Sequence, residues 1–121
     1  MIQFSRHILD NGLTVICHTD KSTPFVSVNV LYKVGSRNEQ ADKTGFAHLF
    51  EHLMFGGSTH IEDYDKHVQL AGGESNAYTT NDLTNYYITV PASNIETALW
   101  LESDRMAGLN LSPSSLDIQK H

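Results

Sequence analysis

The dipeptide Asn11-Gly12 lies between two short runs rich in apolar residues, and it constrains the fold more than any other feature of the sequence. Asn-Gly is strongly favoured in type I′ turns because both central positions of that turn need positive φ angles. Residues 4–9 and 13–18 are therefore predicted to form two antiparallel strands joined by a tight turn. A chain that begins with a hairpin favours an antiparallel sheet over a doubly wound parallel one.

Three further strands and four helices are predicted from the spacing of apolar residues. The strands are expected at residues 25–34, 76–80 and 84–90. The helices are expected at about residues 44–55 and 61–70, after Pro91, and from Ser112-Pro113 onward. The order of these elements predicts an α+β fold, in which helices pack on an antiparallel sheet.

Helix ends and buried faces can also be predicted from the sequence. Asp42 or Thr44 is expected to cap the helix over residues 44–55, and Ser93 or Asn94 is expected to cap the helix after Pro91. Five apolar residues of that later helix are expected to face the core: Ile95, Ala98, Leu99, Leu101 and Met106. Three aromatic residues are expected to be buried or half-buried: Tyr86, Tyr87 and Trp100.

The composition limits both the number of domains and the class of partner. A chain of 121 residues with 40% hydrophobic residues suits a single domain. The net charge is −6, and the eight Lys and Arg residues are scattered, so no basic stripe is present to bind nucleic acid. The lone Cys17 has no partner for an internal disulfide, which fits a reducing compartment, and it is expected to be a buried strand residue.

The two ends of the chain bear on its location and completeness. Residues 1–6 lack the basic start and long apolar stretch of a signal peptide, and no run reaches the roughly 18 apolar residues of a membrane span. We expect a cytoplasmic protein, or a periplasmic or exported one if a leader has been removed. The helical pattern over residues 115–121 stops without a capping Gly, Asn or Pro, and we expect a truncated polypeptide.

The segment His48-Leu49-Phe50-Glu51-His52 carries the residues best suited to catalysis. Two residues that are four apart on an α-helix lie about 40° apart around the axis and roughly 6 Å apart along it. Both imidazoles can therefore reach one metal ion. Glu51 projects about 60° to the other side of His48, where it can act as a base without being a ligand.

Two histidines and a nearby carboxylate are what a zinc hydrolase needs. Zinc acidifies water and polarises a carbonyl, and a carboxylate such as Glu51 can take the proton as general base. A catalytic zinc site has three protein ligands and an open fourth position, and the motif supplies two of them. The alternative is an amphipathic helix with two surface histidines that bind no metal.

Three stretches around the motif resemble the inverted zinc proteases of the pitrilysin, insulysin and mitochondrial processing peptidase family. They are residues 45–57 (GFAHLFEHLMFGG), residues 72–87 (GGESNAYTTNDLTNYY) and, in the first hairpin, residues 9–15 (LDNGLTV). The resemblance covers nearly the whole chain. It implies that residues 1–121 are the N-terminal, metal-site portion of a zinc peptidase domain of α+β type.

The resemblance also assigns site residues. It implies that His48 and His52 bind one Zn²⁺ ion, that Glu51 is the general base, and that a glutamate on a later helix, past His121, is the third ligand. It places Asn76 and Ala77 beside a peptide substrate, which an exposed strand edge could bind through its backbone. The alternative for Asn76 is that it only begins a strand.

The other titratable residues are weaker candidates for the metal site. Glu102 is the acidic residue that most merits a test as third ligand, but a capping or solvent-facing role is favoured for it. Glu74 and Asp82 are weaker still. Five histidines lack a paired spacing and are expected to be solvent-exposed: His7, His18, His60, His67 and His121.

Two hypotheses of function result. The first is a zinc metallopeptidase that hydrolyses peptides or unfolded polypeptides with Glu51 as general base. The second is a non-catalytic member or fragment of the same fold, which binds peptide or supports a partner subunit. The resemblance implies a second homologous domain or subunit in either case. For residues 1–121 alone we expect no activity.

Overall fold

The computed structural model describes residues 2–109 and Leu111 of the chain. Five strands form in this part: β1 (Ser5–Ile8), β2 (Thr14–Cys17), β3 (Phe25–Tyr32), β4 (Glu74–Thr79) and β5 (Thr84–Pro91). Its three α-helices are α1 (Phe46–Leu53), α2 (Tyr64–Leu70) and α3 (Ile95–Ala107). The helix predicted from Ser112-Pro113 onward lies outside the described residues.

The first hairpin forms, but its turn is not the predicted type I′ turn, because Gly12 has a positive φ angle and Asn11 does not. Strands β1 and β2 pair antiparallel with Arg6 opposite Ile16, and the turn places Gly12 at φ 88°. The pair forms a two-stranded sheet of its own, so the described chain has two sheets rather than the single sheet predicted. The prediction that Cys17 is buried is wrong: it is exposed, and the main contacts of this hairpin are those between its own two strands.

The second sheet has the strand order β3-β5-β4, with both pairings antiparallel. Strand β5 lies at the centre, where Ile88 pairs with Val28 on one side and with Ser75 on the other. Strand β4 therefore lies at an edge of the sheet. This arrangement confirms an α+β fold with antiparallel sheets and helices packed on them.

The core lies between this second sheet and helices α2 and α3. Eight buried residues form one cluster: Ile61, Tyr64, Val68, Ala71, Ile88, Val90, Ala98 and Leu101. Helix α2 begins at Tyr64, later than predicted, because the Asp63 side chain accepts a hydrogen bond from the Lys66 amide at 3.1 Å and caps it. The burial of these side chains is the main apolar stabilisation of the fold.

Helix α3 departs from its predicted buried face. Two of the five apolar residues predicted to face the core are buried, namely Ala98 and Leu101, whereas Ile95, Leu99 and Met106 are exposed. Polar residues take the remaining buried positions: Glu102, Asp104 and Arg105. Hydrophobic spacing cannot reveal such a face, because charged groups are buried only with partners, and some of these partners, such as Tyr64 for Glu102 and Ser58 for Asp104, lie far away in the sequence.

The aromatic residues also differ in burial. Tyr86 is buried and Tyr87 half-buried, as predicted, but Trp100 is exposed and the prediction for it is wrong. The His67 ring lies edge-on to the Trp100 ring, with 5.2 Å between centroids. No helix within residues 2–109 is both long and apolar enough to cross a bilayer.

Candidate metal centre

Helix α1, which carries the two histidines, is capped by a carboxylate from outside the helix. The cap position is Gly45, at φ 88°, so the predicted cap at Asp42 or Thr44 is wrong. Instead the two carboxylate oxygens of Glu39 accept hydrogen bonds from the amides of Gly45 and Ala47, each at 2.8 Å. A carboxylate at this end satisfies orphan donors and opposes the positive pole of the helix dipole.

The imidazoles of His48 and His52 converge on one point. Their Nε2 atoms lie 2.9 Å apart, and their ring centroids lie 4.5 Å apart. Two nitrogen ligands of a tetrahedral zinc ion, each about 2.0–2.1 Å from the metal, lie about 3.3 Å apart. The pair thus fits one zinc ion after a displacement of a few tenths of an ångström.

The carboxylate of Glu51 lies beside this pair and is less exposed than either histidine. Its Oε2 atom is 4.0 Å from the Nδ1 atom of His48. The same oxygen accepts a hydrogen bond from the Thr79 hydroxyl of β4. The sheet therefore orients the carboxylate that the helix carries, and α1 contacts β4 directly.

Glu102 is not the solvent-facing or capping residue that was predicted. It is 3% exposed, and its Oε1 atom accepts hydrogen bonds from the Tyr64 hydroxyl at 2.8 Å and from Arg105 at 2.6 Å. Its Oε2 atom accepts a third from Arg105 at 3.1 Å. With both oxygens engaged in the core, this carboxylate is not available as a metal ligand.

Among the described residues, Glu74 and Asp82 also form no metal-binding group with the histidines. Glu74 is exposed at the start of β4, and Asp82 pairs with Arg37 at 3.0 Å on the surface. Within residues 2–109, no group of three His, Cys, Asp or Glu side chains is arranged to hold a metal ion. His48 and His52 therefore remain the two candidate ligands in the described part of the site.

The two predicted substrate-binding residues fall on edge strand β4, but only one faces the site. A polar cleft of about 450 Å³ is lined by Glu51, His52, Phe55, Asp65, Ser75 and Asn76. Asn76 is exposed there, and its Oδ1 atom accepts a hydrogen bond from the Ala77 amide at 2.8 Å. Ala77 is half-buried and does not line the cleft.

The remaining histidines differ in their surroundings. His7, His18 and His60 are exposed, as predicted, whereas His67 is half-buried and the prediction for it is wrong. His121 lies outside the described residues. His60 is exposed yet partnered, since its Nδ1 atom lies 2.6 Å from the Asp104 carboxylate.

Sequence reasoning missed two residues that shape the site, Thr79 and Glu39. Thr79 carries no sequence signal for this role, because nothing in its local sequence indicates a hydrogen bond to residue 51. Glu39 did carry a usable signal, because an acidic residue shortly before a helix start can cap it. Glu39 lies six residues before Gly45, however, and capping residues are normally expected next to the helix start.

The fold and the histidine pair are of the kind found in zinc proteases, and comparison with known proteins narrows the class to one family. The profile of the insulinase family (Peptidase family M16) matches residues 14–121. The chain belongs to this family, whose members are named as zinc proteases and whose cofactor is Zn²⁺. The resemblance seen in the sequence is confirmed.

Two relatives show how much of the family's length this chain represents. It is 42% identical to the zinc protease PqqE of Helicobacter pylori over 85% of this chain and 24% of that protein. It is 35% identical to a probable mitochondrial-processing peptidase subunit beta of Arabidopsis thaliana over 79% of this chain and 18% of that protein. The chain thus spans a quarter or less of the length of these relatives.

Solved structures agree with the fold described above. A protease from Helicobacter pylori superposes with a TM-score of 0.92 at 38% identity, over 98% of this chain and 29% of that one. Pitrilysin superposes with a TM-score of 0.89 at 24% identity, over 98% of this chain and 13% of that one. The second likeness is one of fold alone.

Proposed function

We propose that the protein containing this chain is a zinc metallopeptidase, with His48 and His52 as two zinc ligands and Glu51 as general base. The observation that supports this most strongly is the 2.9 Å separation of the two Nε2 atoms, with a carboxylate 4.0 Å from the first ring. Zinc bound there would act as a Lewis acid that polarises a peptide carbonyl and acidifies water.

The role proposed for Glu51 is to take a proton from the attacking water. Its carboxylate lies on the same side of α1 as the histidines, and the Thr79 hydroxyl holds one of its oxygens. A base held in one orientation needs less reorganisation when the proton moves. The same group can then return the proton to the leaving amine.

The third zinc ligand is proposed to be a glutamate outside the described residues. Catalytic zinc sites use three protein ligands and leave one position open, and no third candidate ligand joins His48 and His52 among the described residues. We therefore assign peptidase activity to a longer protein that contains residues 1–121. We further propose that a second homologous domain or subunit closes the active site.

The substrate is proposed to be a peptide or an unfolded polypeptide bound at the free edge of β4. That edge borders the cleft that contains Glu51, His52 and Asn76, and backbone pairing with it would hold a peptide as an added strand. The Ala77 amide, now bonded to Asn76, is one donor that such a peptide could use. Recognition through backbone groups favours extended substrates over particular side chains.

The test is the substitution Glu51→Gln in the full-length protein. The amide keeps the shape of the side chain but cannot accept a proton at neutral pH, so peptide hydrolysis should fall at least about 1,000-fold while zinc stays bound. Glu62→Gln is the matched control, because Glu62 is exposed and does not line the cleft. Hydrolysis retained in the Glu51 variant would refute the assignment of the base.

A further inference from the structure

Arg105 of α3 is buried between three aromatic rings, a costly environment for a permanent charge. Its side chain is 1% exposed, and its guanidinium carbon lies 4.3 Å from the ring centroid of Tyr64, 4.6 Å from that of Tyr86 and 5.2 Å from that of Phe55. A buried cation needs both charge compensation and hydrogen bonds to be tolerated.

Glu102 supplies the compensating charge and fixes the plane of the guanidinium. The Nε and Nη2 atoms of Arg105 donate to the two oxygens of Glu102, at 3.1 and 2.6 Å. Tyr64 donates a further hydrogen bond to the same carboxylate. A bidentate pair of this kind determines orientation as well as charge.

The remaining contact of Arg105 reaches the metal-binding helix. Its Nη1 atom donates to the backbone carbonyl of Met54, at 3.3 Å. Met54 is the C-terminal cap residue of α1 and follows His52 by two positions. The carbonyls at this end of a helix have no partner within the helix, and a cation there also opposes the negative pole of the helix dipole.

Helix α1 depends on such outside contacts for its position. It has eight residues, about two turns, and helices this short are not stable on their own. Glu39 holds its first turn, and Arg105 holds its last. Two imidazoles on one side of such a helix converge only if the helix keeps its tilt and its rotation about its axis.

We propose that Arg105 is a positioning residue of the metal site, which acts through the Met54 carbonyl while Glu102 orients its guanidinium. The inference rests on the proposed role of His48 and His52 as zinc ligands. Packing alone does not explain the buried ion pair of α3, because apolar residues of similar volume often stabilise a core equally well. The proposed role in positioning α1 does explain it. Groups that orient metal ligands from outside the ligand set contribute strongly to metal affinity.

The experiment measures zinc affinity by chelator competition, and the visible spectrum with cobalt(II) in place of zinc, in variants of the full-length protein. Arg105→Met keeps the bulk of the side chain and removes its donors, and zinc affinity should fall by about tenfold or more. Arg105→Lys keeps the charge but lacks the planar fork, and affinity should fall by about threefold. The cobalt spectrum should change in both variants.

Two control variants separate positioning from loss of stability. Arg37→Met removes a surface arginine that pairs with Asp82 and should leave zinc affinity unchanged. Val68→Ala removes core volume from α2 and should lower the melting temperature without changing zinc affinity. If Val68→Ala weakens zinc binding as much as Arg105→Met does, the proposal is wrong, since general destabilisation then explains the loss.

Each outcome distinguishes this proposal from the proposed function. If wild-type protein binds no zinc, or keeps its zinc in a His52→Ala variant, both proposals fail. If wild-type protein binds zinc through His52 and the folded Arg105 variants bind it equally well, only the positioning role fails. If Arg105→Met does not fold, Arg105→Lys decides, and wild-type affinity and cobalt spectrum in that variant overturn the proposal.

Discussion

Glu51 and the two histidines share a helix but differ in what surrounds them. The side chain of His48 is 69% exposed, whereas that of Glu51 is 14% exposed and is hydrogen-bonded to Thr79. An exposed imidazole can be reached by a metal ion from solvent. A general base gains from a fixed orientation, which the strand hydroxyl supplies.

The first prediction concerns Thr79, which orients the Glu51 carboxylate. Thr79→Val keeps the shape of the side chain and removes the hydroxyl donor. In the full-length protein we expect kcat to fall by about tenfold, with zinc content unchanged, because the base is less well oriented while the ligands are intact. Steady-state kinetics and metal analysis together test this.

Thr89→Val provides a matched control for Thr79→Val. Thr89 is a half-buried threonine of the same sheet, and it does not line the cleft. Its replacement should leave both kcat and zinc content unchanged. Equal kinetics in the two variants would show that the Thr79 hydroxyl has no part in the reaction.

Asp104 gives the second prediction, which concerns pH. Hydrogen bonds from the Ser58 hydroxyl and from the backbone and side chain of His60 lower the pKa of Asp104 from 3.8 to about 2. A carboxyl group whose pKa is lowered by folding contributes stability above its ordinary pKa and loses it as pH falls toward the lowered value. The free energy of unfolding should therefore decrease as the pH falls from about 4 to about 2.

Asp104→Asn tests the origin of this acid sensitivity. The amide cannot titrate, so the dependence of the free energy of unfolding on pH should be shallower than in wild type between about pH 4 and pH 2. Denaturant unfolding at a series of pH values measures it. An equally steep dependence in the variant would assign the acid sensitivity to other carboxyl groups.

At the scale of the element, α1 is a short helix whose two ends are held by side chains of opposite charge. The third prediction is that Glu39→Ala lowers the free energy of unfolding by about 1 kcal/mol, because two amides of the first turn lose their acceptor. Glu39→Gln, which retains one acceptor oxygen, should cost less. Urea unfolding measures both, and Glu62→Ala at an exposed position is the control.

Some features of helix α1 can be predicted from the sequence and others cannot. Its existence and its motif are predictable because Phe46, Leu49 and Leu53 recur at helical spacing. Its caps are harder to predict, because Glu39 gives only a weak signal from beyond a loop, and Arg105 acts from an element 51 residues away from Met54. The same limit explains part of the error for Glu102: Arg105 lies three residues away from it, but its other partner, Tyr64, lies 38 residues away.

At the scale of the whole molecule, the sequence predicts the α+β class, because turn dipeptides and alternation are local signals. It does not predict that the first hairpin stands apart from the second sheet. Several apolar side chains of that hairpin are exposed: Ile8, Leu9, Leu13 and Ile16. Local patterns show which face of a strand is apolar but not what covers it.

A second apolar surface lies on the side of α1 that faces away from the histidines. A groove of about 550 Å³ there is lined in part by Tyr32, Phe46, Phe50 and Tyr86. The Tyr32 hydroxyl is buried without a hydrogen-bond partner among the described residues.

The chain spans 24% of the length of its relative PqqE, so the activity proposed here is that of a longer protein.

Anomalous scattering at the zinc edge, measured from crystals of the full-length protein, would show whether His48 and His52 bind zinc. We expect one zinc peak about 2.0–2.1 Å from the Nε2 atoms of both His48 and His52, with Glu51 outside the ligand set. A zinc ion bound elsewhere, or crystals grown with zinc that show no peak between these two rings, would contradict this prediction.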